Sequence, residues 1–164
     1  MQERSTARKV SQPTSRLEPV DKQIEYVLEE ARMVLPGMQA LFGFQLIAAF
    51  SQRFTDALGP TARVIHLAAL LLVALAIALI MAPAAYHRQV QRDRVSAFFV
   101  DYASRLITLA MVPLFIALCA EVGVVTIAVI NSALLGFVLA TVLAVVFLVL
   151  WYVVPWMKRE RRTR

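Results

Sequence analysis

Apolar positions gather in four long runs along the chain, and the charged positions fall between and beyond them. A hydrocarbon layer of about 30 Å takes roughly 20 apolar residues at the 1.5 Å rise of an α-helix. Runs of that order predict membrane spans over 34–53, 63–83, 104–125 and 131–154. The core of the first, Val34 to Phe50, is the most polar because it carries Gln39 and Gln45. The second is nearly pure Leu, Ala, Ile and Val after His66, and the third contains Pro113, Cys119 and Glu121. The fourth is the most apolar and ends at "WYVVPWMKRERRTR". Continuous apolar runs exclude a β-barrel, whose strands alternate over about 10 residues. The expected fold is all-α, an integral membrane four-helix bundle.

Ahead of the first span, "LEPVDKQIEYVLEEARMVL" places Ile24, Val27, Leu28, Ala31 and Leu35 at helical spacing, with Asp21, Glu25, Glu29 and Arg32 on the other side. That pattern predicts an amphipathic juxtamembrane helix running into the first span. Its acidic first turns suit the helix dipole better than an anionic membrane surface. The expected docking partner is the protein's own basic loop, with Glu29 or Glu30 near Arg88 or Arg105. A solvated stub is the alternative.

Composition agrees: 60% of the 164 residues are apolar and only 17% charged, more apolar surface than a soluble domain of this size can hide. The domains then read as a disordered cytoplasmic tail over 1–20, a membrane domain over 21–157 and a basic tail over 158–164. The Lys and Arg residues fix the expected orientation. Fifteen lie in the N-terminal tail, the second loop and the C-terminus, against Arg53 and Arg63 in the first loop and none in the third. The positive-inside rule puts both termini in the cytoplasm. The net charge of +6 reads as topology and attraction to anionic lipid headgroups; nucleic acid is not an expected partner, since no reading helix or aromatic platform accompanies the basic residues. Residues 1–20 lack the apolar core of a cleavable signal peptide. The single Cys119 excludes an internal disulfide and reads as a buried thiol.

Ala74, Ala78, Ala82 and Tyr86 recur at four-residue spacing, as do Ser132, Gly136, Ala140 and Ala144. Small residues at that interval let helices approach closely, within the bundle or between subunits, so a homo-oligomer is expected. Tyr86, His87 and Arg88 follow Pro83 where cytoplasmic headgroups should lie, and His87 reads as an interfacial anchor or as a proton-handling group. Asp101 and Arg105 form an i, i+4 pair, and Phe98, Phe99 and Tyr102 beside them look like an interfacial aromatic belt.

The stretches "APAAYHR", "MQALFGFQL" and "ASRLI", with the basic end after the fourth span, resemble a family of small bacterial four-span membrane proteins of unknown function. The resemblance covers about residues 25–157. It implies the bacterial cytoplasmic (inner) membrane, and some relatives carry an automatic label of sodium:proton antiporter. It brings no cofactor, substrate or catalytic residue to transfer.

A cation or proton carrier needs an ionisable or strongly polar site within the membrane. Glu121 is the acidic residue well inside a span; about 22 Å up from Leu106 at helical rise, it is nearer the outer face than the centre. It reads first as marking where the third helix emerges, with "EVGVVTIAVIN" turning into the last span, and second as a gate carboxylate beside a bend at Pro113. Gln39 and Gln45 differ by about 240° around a helix. Each reads as interhelical glue or, in an oligomer, as pore lining. Small four-helix exporters of drug cations depend on a glutamate in the middle of the first span, and none stands there here. His66 and His87 lie about 30 Å apart on one helix and cannot share a metal within a subunit. No phosphate loop, HExxH or CxxC is present, so neither an enzyme, a metal site nor a cofactor is expected. Three function classes remain: a self-associating structural or accessory membrane protein with a cytoplasmic protein partner, which is the leading expectation; an oligomeric cation or proton transporter; and an anionic-lipid sensor.

Overall fold

The structure is a computed structural model that describes residues 20–90 and 97–162. The expected tail over 1–20, apart from Val20, and the loop arginines Arg92 and Arg94 lie outside the described residues. Six helices follow one another: α1 (Val20–Phe50), α2 (Gln52–Ala57), α3 (Pro60–Val90), α4 (Ala97–Ile130), α5 (Ala133–Leu148) and α6 (Val154–Arg162), the last two joined by a π-turn over Val149–Val153. Stretches of α1, α3 and α4, and the continuous α5–π-turn–α6 rod, are each long and apolar enough to cross a membrane, over Glu25–Phe50, Pro60–Gln89, Phe98–Ile130 and Ala133–Lys158. The bundle expected from the apolar runs is therefore present, with the juxtamembrane helix fused to the first span in α1. The residues of the basic tail up to Arg162 are helical.

Two short connections define one end of the bundle, called here the hairpin end. Between α1 and α3, Ser51 and Leu58 cap the single short helix α2. Arg63 ties that connection down, its Nε donating to the carbonyls of Thr55 and Leu58 at 3.0 Å each. Between α4 and α5, Asn131 adopts a left-handed φ of 56°, a conformation that Asn tolerates better than most residues. Ser132 then caps α5 by accepting from the Leu135 amide.

The packing seam of α3 is Ala62, His66, Ala69, Val73, Ala76, Ile80 and Pro83, all buried. Steps of four and three alternate along it, the period that keeps one helix facing another at a small crossing angle. On α4 the matching seam is Phe99, Ala103, Ala110, Ala117 and Val124. The stripe expected on α3 lies elsewhere: Ala74 and Ala82 are half-buried and Ala78 is exposed. A strict four-residue repeat advances about 40° per step around a helix, so it drifts away from a seam of period 3.5.

The stripe on α5 behaves differently. Gly136 is the buried residue of α5, and a Cβ added to it would stand 2.8 Å from the Gly123 carbonyl oxygen and 3.1 Å from the Ile127 side chain. At Gly123 the added Cβ would meet only ordinary contacts, 3.5 Å from the Gly136 oxygen and 3.6 Å from Ala140 Cβ. α5 thus meets α4 backbone to backbone and leaves most of its apolar surface, including Leu134 and Phe137, facing outward.

At the opposite end, the apolar face of α1 docks as expected, with Val27 and Leu28 on the cluster of Phe99 and Ala103 that also holds Tyr86 and Val100. The acidic side does not: among the described residues, Glu29 and Glu30 form no ion pair with Arg88 or Arg105.

The Gly123–Gly136 crossing predicts an asymmetry between two conservative changes. Gly136→Ala should destabilise the detergent-solubilised protein by about 1–3 kcal/mol, the cost of overpacking, whereas Gly123→Ala should stay within about 1 kcal/mol because the helix gains as much propensity as it loses in fit. Thermal unfolding of both variants checks this, and equal effects would contradict the crossing.

Candidate functional site

Where α1, α3 and α4 approach the hairpin end, the apolar interior is interrupted by three polar residues, one from each helix. His66 lies on the α3 seam about 9 Å from the start of its helix, Gln45 about 8 Å from the end of α1, and Glu121 about 14 Å from the end of α4, taking 1.5 Å per residue. Antiparallel alignment brings them to similar heights. His66 Nδ1 lies 2.9 Å and 3.0 Å from the two carboxyl oxygens of Glu121. His66 Nε2 lies 3.2 Å from the backbone carbonyl of Gln45. Phe54 of α2 packs edge-on against the imidazole, with centroids 5.2 Å apart. The side chains of His66 and Glu121 are 6% and 12% exposed, so nearly the whole pair is out of contact with solvent.

Hydrogen counting at this centre gives its chemistry. A backbone carbonyl only accepts, so the Nε2 contact is a hydrogen bond when the ring carries its hydrogen on Nε2. Nδ1 meets the carboxyl group either by sharing one further proton with it, as imidazolium and carboxylate or as imidazole and carboxylic acid, or, in the other neutral tautomer, by donating to the carboxylate. The two proton-sharing forms are neutral as a pair, which is what a low-dielectric interior favours.

Beside it, the Gln45 side chain is 3% exposed, and neither its nitrogen nor its oxygen has a hydrogen-bond partner. A buried amide left unpaired costs about 1–3 kcal/mol. It is an unmet polar group on the residue whose backbone carbonyl meets the His66 imidazole.

Two expectations about these residues change. The turn expected directly after Glu121 is absent, because α4 continues through "VGVVTIAVI" to Ile130; nothing in that run stops a helix before Asn131. His66, set aside in the sequence because His87 was too distant to be its partner, finds that partner on α4 instead. A usable signal was present: His66 is the one ionisable residue on the three-four seam of α3.

The other candidates fall outside the centre. Gln39 is exposed on α1. Tyr86 and His87 sit at the other end of α3, against Phe99 at ring distances of 6.1 Å and 5.6 Å. Phe99, expected in an interfacial belt, is instead fully buried under them, while Phe98 is exposed and stacks on Tyr102. Asp101 and Arg105 pair at 2.8 Å on an exposed face, and Arg88 is exposed. Cys119 is buried as a free thiol. Among the described residues, no three His, Cys, Asp or Glu side chains gather as metal ligands.

Four long apolar helices, three of them joined by a largely buried ionisable pair and its backbone contact, define a multi-pass helical membrane protein. Within that class the chain belongs to DUF6328, a family of unknown function whose model matches residues 13–155. That description names no activity, antiport included. No curated protein and no solved structure matches the chain.

Breaking the pair one residue at a time should cost more than removing it whole. His66→Leu, which strands the Glu121 carboxyl group, should destabilise the protein by about 3–5 kcal/mol, and the His66→Leu/Glu121→Leu double variant should recover most of that loss. Unfolding titrations in mixed micelles measure both. Additive losses in the double variant would show that the two side chains do not act as a unit.

Proposed function

We propose that this protein is a cation or proton transporter of the bacterial cytoplasmic membrane, working without enzymatic chemistry and with the His66–Glu121 pair as its proton-exchanging group. One observation carries the reading: a histidine and a glutamate lie within hydrogen-bond distance, largely out of solvent, between long apolar helices and next to the unpaired amide of Gln45. Ionisable residues within membrane helices are expensive to keep, and their usual justification is transport or proton relay. With both termini in the cytoplasm, the hairpin end faces outward and the pair exchanges protons with the outer side across the α2 connection. Gln45 extends the polar path inward. Gln39, exposed on α1, joins that path only in an assembly of several copies.

The alternative is the self-associating structural or accessory protein. What favours it is α5, whose apolar surface is nearly all turned away from the rest of the chain. In that reading the outward face of α5 and the exposed Ala78 on α3 meet further copies, the basic ends hold anionic headgroups, and the cytoplasmic segments recruit a protein partner.

Proton movement separates the two. Proteoliposomes carrying a pH-sensitive dye, given an imposed pH gradient with and without sodium, should show flux above empty vesicles. Glu121→Gln and His66→Gln should each lower that flux by about 10²-fold or more, the size expected for loss of a transfer group, while size-exclusion profiles stay unchanged. Absence of flux in the parent protein, or full flux in both variants, would contradict the transport reading and favour the accessory one.

A further inference from the structure

All four membrane-spanning elements meet towards the end of the bundle opposite the His66–Glu121 pair. There they enclose a cavity of about 220 Å³ whose walls include Val34 of α1, Ile80 of α3, Ala110 and Met111 of α4, and Trp151 of the π-turn, with Glu30 at its rim. The walls are apolar apart from the one carboxylate. Glu30 has no ion-pair partner among the described residues; Arg105 is engaged by Asp101, and Arg88 lines a separate hollow with Ala78 and Ala82.

Trp151 reaches this cavity through a local departure from helical geometry. The Val154 amide donates to the Val149 carbonyl, five residues back, immediately before Pro155, whose ring excludes the normal bond and crowds the preceding turn. In the widened turn, four residues come nearly full circle. Trp151 is thus brought under Phe147, with centroids 4.7 Å apart, and Phe147 is held edge-on by Phe115 of α4 at 5.9 Å. π-Turns inside helices are uncommon and occur often at functional sites. Here the turn fixes an indole ring on the wall of the cavity that carries a carboxylate at its rim.

We propose that this cavity binds a small hydrophobic ammonium ion, its charge between Glu30 and the face of Trp151 and its apolar body against Ile80, Ala110 and Met111. An indole ring and a carboxylate both attract a cation, and an apolar wall costs least for one whose charge is shielded by carbon substituents. Volume sets the size. Drug-sized ligands occupy pockets of about 300–1,000 Å³, so a single-ring ammonium is the fitting class. The site is separate from the His66–Glu121 pair and does not depend on the transport reading.

Equilibrium dialysis of labelled benzyltrimethylammonium against the full chain in nanodiscs tests it. Saturable binding at one site per chain is expected, weakened about tenfold or more by Glu30→Gln and by Trp151→Leu, and less by Trp151→Phe, which keeps an aromatic face. His66→Gln should leave binding unchanged, so a protein that moves no protons can still pass this test. The neutral isostere neopentylbenzene should fail to displace the labelled cation, a comparison that needs no variant to fold. Absence of saturable binding would overturn the proposal. So would equal displacement by neopentylbenzene together with full binding to Glu30→Gln, the result of an apolar slot that takes a lipid tail.

Discussion

The imidazole of His66 joins α1, α2 and α4 to α3 at the hairpin end of the bundle. Through Nδ1 it holds Glu121 of α4, through Nε2 the backbone of α1 at Gln45, and across its ring Phe54 of α2. In a membrane interior, apolar side chains gain little by leaving lipid for one another, so close packing and polar contacts must position the helices. Here one residue supplies the polar part of that positioning for three helices. Its demands are directional, because its two ring nitrogens must face the Glu121 carboxyl group and the Gln45 carbonyl at once.

Small residues make that approach feasible. Ala62 and Ala69 flank His66 on the α3 seam, and Ala117 precedes Glu121 by one turn on α4. Larger side chains at these positions would hold the two backbones too far apart for an imidazole and a carboxyl group to meet at 2.9 Å. Farther along, the same economy appears without polar groups in the Gly123–Gly136 crossing, which attaches α5 to one side of α4. The result is a polar, tightly fixed three-helix core with a fourth span laid against it. The His66–Glu121 pair and the Trp151 cavity are separated along that core.

Much of this architecture was legible in the sequence. Apolar runs of membrane length gave four spans, the period of Val27, Leu28, Ala31 and Leu35 gave the buried face of α1, and Gly136 was on a close-packing stripe. The end of α4 was misread because Val, Ile, Thr and Ala in "VGVVTIAVI" are as compatible with a membrane helix as with an apolar turn. That error moved Glu121 to a helix mouth and hid its partner. The α3 seam was missed because a repeat of four was taken where the packing period is 3.5, which selected Ala74, Ala78 and Ala82 over Ala69, Val73 and Ala76. The π-turn before Pro155 had a local signal in the proline, but the placement of Trp151 on the wall beneath Glu30 depends on how four helices meet.

The proton between His66 and Glu121 is the centre of the account, and nitrogen NMR of the imidazole observes it directly. In protein labelled with ¹⁵N at histidine and reconstituted in lipid, His66 should show a hydrogen on Nε2 and an Nδ1 resonance characteristic of a nitrogen sharing a proton with a carboxyl group. Glu121→Leu should move the Nδ1 resonance to that of a free lone pair and leave Nε2 protonated. A neutral ring protonated only at Nδ1 in the parent protein, or an Nδ1 resonance unaffected by Glu121→Leu, would contradict the account.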